Sequence, residues 1–470
     1  MKKHLITVAS VTMAAILGSP AQGADLREAI AYALQTSPEI RQAVHNREAT
    51  MYERKQAEGL YFPRISVEAS AGIRELRNPT RRSLGIADDT LYPRDVALTV
   101  DQLLFDSGAR EAEIRHQEAR TDAAAARIEE RSEFIALNIS RAYIDYLLQQ
   151  RLVAIAQDNA LFHQGLVDDL QAGVDAGSIS IADLQQSQER LQSAQARVVE
   201  AQEELDLAAI SFERLAGMPI GNVAMPPDLS NAMPESLGAA IELARMDNPL
   251  VEEAVADYAA ARELIKKAKG EMGPRFNLEG RARYGEDIDG FDGITEDYQA
   301  RGVVRWDVFT GGTNAYNVRE QQSRADEVHA RLFEKQRDAE ELARAAWSRL
   351  ANQGRLAEEL AEQSRITDEL LLSYREQFNV GRRSLLDVLD AQNTRYNVQA
   401  QLETAQLAQL YAQYRVLAAV NRLVEAMGVD MARPAYQADR DLYWTNTVPA
   451  SDRAEDSLRY PVMGPPVAEE

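Results

Sequence analysis

Two stretches of this chain, residues 109–174 and 313–378, each run for some 66 residues without a proline and consist largely of Ala, Glu, Arg and Gln. Read as helix, each spans about 100 Å at 1.5 Å per residue. No ordinary globular core is that wide, so the pattern predicts coiled-coil or tubular packing. Residues 26–60 and 182–215 have similar composition and roughly half the length. Laid end to end beside a long helix, they complete a tube about 100 Å long.

The long helices belong to a duplication, and internal repeats constrain a fold strongly. Leu26-x-x-Ala29-Ile30 recurs as Leu237-x-x-Ala240-Ile241, Ser37-Pro38 as Asn248-Pro249, and Pro63-Arg64 as Pro274-Arg275, all 211 residues apart. Phe105-Asp106-Ser107-Gly108 recurs as Phe309-Thr310-Gly311-Gly312, now 204 apart. Gly177-x-x-Ser180-x-x-Asp183 recurs at the same offset as Gly381-x-x-Ser384-x-x-Asp387, and Ala216-Gly217 returns to 211 as Met427-Gly428. The reading that follows is a leader at 1–23, a first unit at 24–217, a proline-rich linker at 218–236, a second unit at 237–428, and a surface segment and tail at 429–470. Seven residues separate the two offsets. That is two helical turns, an insertion that a heptad-patterned helix absorbs without rotating its apolar face.

Each unit places two strands between its helices. Ile65, Val67, Ala69, Ala71 and Ile73 alternate with Ser66, Glu68, Ser70, Gly72 and Arg74, which predicts a strand over 64–74. A loop with Pro79, Gly85 and Pro93 leads to a second strand at 95–104, then the long helix 109–174 and a return helix 182–215. The second unit repeats the order with strands 275–284 and 298–307, long helix 313–378 and return helix 385–427. Ten-residue strands with one apolar and one polar face match the weak signature of membrane barrels. Tyr61, Phe62, Phe105, Trp306 and Phe309 gather at the helix-proximal strand ends, and Tyr92, Tyr284 and Tyr298 at the loop-proximal ends. Two aromatic belts around an apolar band suit a bilayer. Four strands close no barrel, and open edges are not tolerated in lipid. Several copies must share one barrel; residue patterns leave a dimer with 8 strands and a trimer with 12 both open.

The N-terminus reads as a secretory leader: Lys2-Lys3, a mostly apolar Leu5–Leu17, a Gly18-Ser19-Pro20 break and a small-x-small site at Ala21-Gln22-Gly23. There are no cysteines, which excludes disulfides, thiolate chemistry and an N-terminal lipidated Cys. The net charge of −22 argues against nucleic acid as a partner. The five histidines sit at no metal-ligand spacing, and no nucleophile elbow or P-loop appears, so neither an enzyme nor a cofactor is expected. A soluble coiled-coil scaffold in the periplasm remains the alternative of a different class.

The segment Phe378-Asn379-Val380-Gly381-Arg382-Arg383-Ser384-Leu385-Leu386-Asp387-Val388-Leu389-Asp390-Ala391-Gln392, with its partner Gly177-Ser178-Ile179-Ser180-Ile181-Ala182-Asp183-Leu184, resembles the TolC family of outer-membrane channel proteins. The duplicated strand, long helix, turn and helix pattern agrees over nearly the whole mature length. The resemblance implies a mainly α fold with a membrane β-barrel: a homotrimer whose 12-stranded barrel lies in the outer membrane of a Gram-negative bacterium and continues into a periplasmic α-helical tunnel. It implies docking to a periplasmic membrane-fusion adaptor and an inner-membrane transporter. The run from Gly381 to Asn393 looks most like the branch serving type I secretion through an ABC transporter. Efflux of drugs or small molecules, with an RND pump, is the alternative.

The turns between long and return helices carry the site. Gly177 and Gly381 suit left-handed helix ends, Ser180 and Ser384 suit N-caps, and Asp183 and Asp387 fall three residues on, so helix-hairpin punctuation explains these six. It leaves Asp390 unexplained. Asp387 and Asp390 share one helix face, and around a symmetry axis they would form an acidic ring that favours cations. The resemblance implies that these two make the family's constricting ring at the periplasmic entrance. It implies that Arg383 is the family's gating arginine, latched to the neighbouring hairpin, with Asp183 as acceptor. Phe378 stands where the family has a tyrosine whose hydroxyl makes one link, and Ala182 replaces a threonine, so the latch should rest on Arg383 and Asp183. Arg382 adds a positive charge beside the ring.

Overall fold

The computed structural model describes residues 25–221 and 223–430. The leader at 1–23 and nearly all of the 429–470 segment lie outside the described residues. The chain opens with α1 (Leu26–Thr36) and α2 (Pro38–Gly59), followed by β1 (Arg64–Ala71), β2 (Arg74–Glu75), α3 (Pro79–Ser83), β3 (Thr90–Leu91) and β4 (Arg94–Phe105). The long helix α4 (Ala109–Asp175) and the return helix α5 (Ile181–Ala216) come next. The order then recurs as α6 (Leu237–Asp247), α7 (Pro249–Gly270), β5 (Arg275–Glu286), β6 (Ile294–Arg305), α8 (Thr313–Asn379) and α9 (Leu385–Ala419), with a short α10 (Leu423–Ala426) added at the end. α4 and α8 are each 67 residues, about 100 Å. No described helix is long and apolar enough to cross a membrane.

The reading of 26–60 as one helix is corrected. Ser37 breaks it with φ −58° and ψ 129°, because Pro38 lacks an N–H and forces the residue before it out of the helical region. The Ser37 hydroxyl accepts the Glu39 amide at 3.2 Å and restarts the helix. Asn248 and Pro249 repeat the break between α6 and α7, where Asn248 accepts the Leu250 amide at 3.0 Å. Neither seven-residue difference falls inside a long helix. One lies in the 72–93 segment between β1 and β4, which holds α3 and the small β2–β3 ladder. The other makes α10: the return helix read as 385–427 stops at Ala419, and Asn421 turns the chain in the left-handed region at φ 57°.

β1, β4, β5 and β6 form one antiparallel sheet in that order. β1 is shorter than expected because the ladder ends at Pro93: the Gly72 amide still donates to the Pro93 carbonyl in register at 2.9 Å, but Pro93 has no N–H to return; β6 is longer, starting at Ile294. Register puts Ile65, Val100, Gly280 and Ala300 in one row and Val67, Leu98, Ala282 and Tyr298 in the next. Partners in a row share a face, so in these rows one face is apolar across all four strands, with Gln102, Glu296 and Arg94 on it only in the rows toward its two ends. It is bare: Val67 is 69% exposed, Tyr298 74% and Val304 67%. On the other face Arg283 pairs with Asp95 at 2.9 Å and Arg301 with Glu279 at 2.7 Å. The outer edges of β1 and β6 have no strand partner among the described residues.

The largest core lies partway along the helices, where α1, α4, the ends of α5 and α9, and α10 bury Leu26, Ile30, Ile139, Tyr143, Phe212 and Tyr414. The segment between the units is pinned to this core. The Tyr143 hydroxyl donates to the Ala224 carbonyl at 3.0 Å, the Tyr414 hydroxyl to the Pro227 carbonyl at 2.8 Å, and Leu229 is buried. Glu133 of α4 accepts the Leu423 and Val424 amides at 3.2 and 3.1 Å and so caps α10. Burial pushes the Glu133 carboxyl up to about 8.

Candidate functional site: the helical hairpin tips

Both tips are built by local chemistry. At the first, the Ser178 amide reaches back to the Gly173 carbonyl and the Gly177 amide to the Val174 carbonyl, both at 2.9 Å. At the second, Arg382 bonds Gln377 at 2.8 Å and Gly381 bonds Phe378 at 2.9 Å. These paired bonds are the Schellman closure, which needs a left-handed residue; Gly177 and Gly381 supply it at φ 76° and 71°. Ser180 then accepts the Asp183 amide at 3.1 Å, and Ser384 the Asp387 amide at 3.2 Å. The second cap is reciprocal, since the Ser384 amide donates to the Asp387 carboxylate at 3.3 Å.

The acidic side chains divide by partner. The Asp183 and Asp387 carboxylates each accept a serine hydroxyl at 2.7 Å, from Ser180 and Ser384. The Ser384 hydroxyl and amide, together with Arg383, hold the Asp387 carboxyl below its ordinary value. Within one chain this pull is opposite to the mutual repulsion expected of a ring, and it keeps Asp387 ionised. Asp390, one turn on, is exposed.

Arg383 stays on its own hairpin in the single chain. Its Nε donates to Gln377 Oε1 at 3.2 Å, its guanidinium lies 3.8 Å from the Asp387 carboxylate, and it sits 4.1 Å over the Tyr374 ring. Asp183 is not among these partners. Phe378 packs against two apolar clusters, one of Leu166, Leu170, Leu184 and Leu389 and one of Leu371 and Val388. A ring held in apolar packing needs no hydroxyl.

Above the tips the two hairpins share a polar seam that sequence reasoning missed. Gln392 of α9, fully buried, donates to Asn159 of α4 at 2.9 Å. Arg395 bridges Asp158 of α4 at 2.9 Å and Asp368 of α8 at 2.7 Å. Arg197 of α5 reaches Asn393 at 3.3 Å, and Arg151 of α4 pairs with Glu403 at 2.5 Å. Gln392 closes the motif quoted above, yet its partner is 233 positions away, and nothing local marks the pair.

Among the described residues no group of three or more His, Cys, Asp or Glu side chains is placed to hold a metal ion. The arrangement offers helical tips rimmed by carboxylates, a guanidinium resting between alternative acceptors, and a sheet with a bare apolar face.

Comparison with known proteins gives concordant matches. The family described as outer membrane efflux protein matches twice, over residues 29–218 and 240–429. The chain is 24% identical over 400 residues to the alkaline protease secretion protein AprF of Pseudomonas aeruginosa, covering 82% of each. It is 22% identical over 344 residues to the outer membrane efflux protein BepC of Brucella suis, covering 72% of this chain and 74% of that one. The crystal structure of the outer membrane protein VceC from Vibrio cholerae superposes with a TM-score of 0.72 at 17% identity, covering 86% of this chain and 96% of that one, a likeness of fold.

Proposed function

Because the chain belongs to the outer membrane efflux protein family, we propose that it is the outer-membrane channel of a tripartite exporter, giving substrates an exit path from an inner-membrane transporter and a periplasmic adaptor. The observation that carries this reading is the four-stranded sheet with an exposed apolar face and two unpartnered outer edges. A bilayer satisfies the face; only further strands satisfy the edges. Three copies supply twelve strands, within the range of membrane barrels, and their hairpins continue the barrel as a tunnel. Purified protein should form a trimer by native mass spectrometry and give stepwise currents in planar bilayers. A water-soluble monomer without current would sink the proposal.

The route we favour is type I protein secretion through an ABC transporter, supported by the Gly381–Asn393 run and by the name of the similar AprF. Efflux through an RND pump is the second reading, favoured by the name of BepC. Deleting the chain separates them: lost export of one protein supports secretion, and drug sensitivity with secretion intact supports efflux.

At the tip, Asp387 and Asp390 form the cation-sensitive entrance, and Arg383 is the latch, moving from its own Gln377 and Asp387 to Asp183 of a facing hairpin. Exposed pairs of this kind contribute about 1 kcal/mol or less each, weak enough for adaptor contact to release them. Arg383→Ser should raise single-channel conductance. Replacing Asp387 and Asp390 with Asn should abolish block by multivalent cations, and block surviving at the same concentration would remove the ring.

A further inference from the structure

This chain uses arginine nearly everywhere it needs a cation, and lysine nearly only in one place. Besides Lys2 and Lys3 it has five lysines: Lys55, Lys266, Lys267, Lys269 and Lys335. Four of them fall in the last five residues of α2 or α7, the helices that run into β1 and β5. Lys55 and Lys266 are 211 positions apart, the offset that relates Pro63 to Pro274, so they occupy corresponding places.

Three of the four face solvent. Lys55, Lys266 and Lys269 are exposed, while Lys267 turns to Glu113 at 2.8 Å. Lys269 has no ion pair among the described residues, and Lys266 rests on Glu263 at 2.6 Å, its own side chain half exposed while the carboxylate is mostly covered. Immediately beyond the helix ends lies a band of exposed apolar groups: Tyr61, Phe62, Met272, Trp306 and Phe309. Trp306 is anchored there, its indole N–H donating to the Met272 carbonyl at 3.1 Å. The backbone positions of these lysines lie within about 6 Å of helix length of the helix ends that meet this band. Arg64 and Arg275, the first residues of β1 and β5, add exposed positive charge at the same level.

Lysines at helix ends also complement the macrodipole. That role is open equally to arginine, which outnumbers lysine more than sixfold in this chain. What lysine adds is a compact ammonium on a flexible stem, which lies along apolar surface while its head seeks phosphate.

We propose that Lys55, Lys266 and Lys269 form a collar that binds the phosphates of anionic phospholipids in the leaflet facing the helices, seating the junction of sheet and helices at a fixed depth. The proposal rests on the membrane reading above. Each such charge strengthens attraction to an anionic surface about fivefold, within a Debye length of about 10 Å.

The test compares the full chain with a K55Q/K266Q/K269Q variant in vesicles of phosphatidylcholine alone or with added phosphatidylglycerol. Phosphatidylglycerol should raise the thermal dissociation midpoint of the unaltered assembly and leave the variant unmoved. The variant should also retain phosphatidylglycerol about tenfold or more weakly by native mass spectrometry. Three results overturn the collar: an equal gain from phosphatidylglycerol in both proteins, an equal loss of stability by the variant in both lipids, which is the helix-end role, or the same gain from inorganic phosphate in detergent. Conductance in pure phosphatidylcholine is the control. If the unaltered chain conducts there, any failure belongs to the collar alone; if it neither inserts nor conducts, the membrane reading falls and the collar with it.

Discussion

The two strand-to-helix junctions, β4 to α4 and β6 to α8, occupy corresponding places in the two units and are built differently. At the inner junction Arg110 is buried, pairs with Asp106 at 3.2 Å, and gathers the carbonyls of Leu60, Leu103 and Leu104. Its guanidinium covers the Tyr61 ring at 4.3 Å. The turn between α7 and β5 closes over it, and Ser107 donates to the Pro274 carbonyl at 3.0 Å. At the outer junction Thr310 and Asn314 stand where Asp106 and Arg110 stand in the first unit, and their link is a single 3.4 Å bond. Phe309 there is 86% exposed and Val308 76%. The inner junction is complete within one chain. The outer one, beside the open edge of β6, leaves Val308 and Phe309 more exposed than their inner counterparts Leu104 and Phe105, at 49% and 53%, and on the assembly proposed above a neighbouring copy's turn between α2 and β1 would cover it.

The largest effect that could break this comparison is at Asp106. Asp106→Ala leaves a buried guanidinium without its counter-charge and should destabilise the protein by about 3–5 kcal/mol in urea unfolding. An effect near zero would mean that the inner junction is not the stronger one.

A second buried carboxylate sharpens the contrast because it has no cation partner among the described residues. Glu133, pushed up to about 8, has a folded value above its unfolded one of 4.5. Its contribution is therefore fully present below about pH 4.5 and declines as pH rises through about 8, by up to about 1.4 kcal/mol per pH unit. Glu133→Gln should remove that slope, which unfolding midpoints measured across this window would reveal.

Glycines test who covers what. Gly270, the last residue of α7, has no room for a Cβ, which would lie 2.8 Å from the Ala109 amide nitrogen and 3.0 Å from the Ser107 carbonyl oxygen. Gly270→Ala should cost about 1–3 kcal/mol. A Cβ at Gly59, 211 positions earlier at the end of α2, would meet nothing within 4 Å beyond its own helix among the described residues. Gly59→Ala should spare the fold of the chain and reduce the assembled fraction in native mass spectrometry. Unimpaired assembly would mean that the outer junction does not seat on a neighbour's α2.

The smallest effect belongs to Thr310→Ala, expected within about 0.5 kcal/mol of the unaltered chain by the same unfolding assay. A loss as large as that at Asp106 would erase the difference between the two junctions.

What was legible in the sequence is what short segments decide alone. The long helices follow from proline-free runs, the strands from two-residue alternation, and the tip closures from Gly177, Ser180, Gly381 and Ser384, whose partners all lie within six residues. The Ser37 break was equally local, and Pro38 signalled it. The Asp387 cap is local too, and it brought Arg383 onto its own hairpin.

By itself, then, the sequence determined the lengths of the elements, their order, the apolar face of the sheet and the turns at the tips, because periodicity and capping act over a few residues. Only the tertiary structure decided that Gln392 meets Asn159, that Glu133 caps α10, and that Arg110 is buried at one junction while its counterpart is left open. Those contacts join residues brought together by packing, or depend on burial that no single segment encodes, and identical local signals are compatible with several such arrangements.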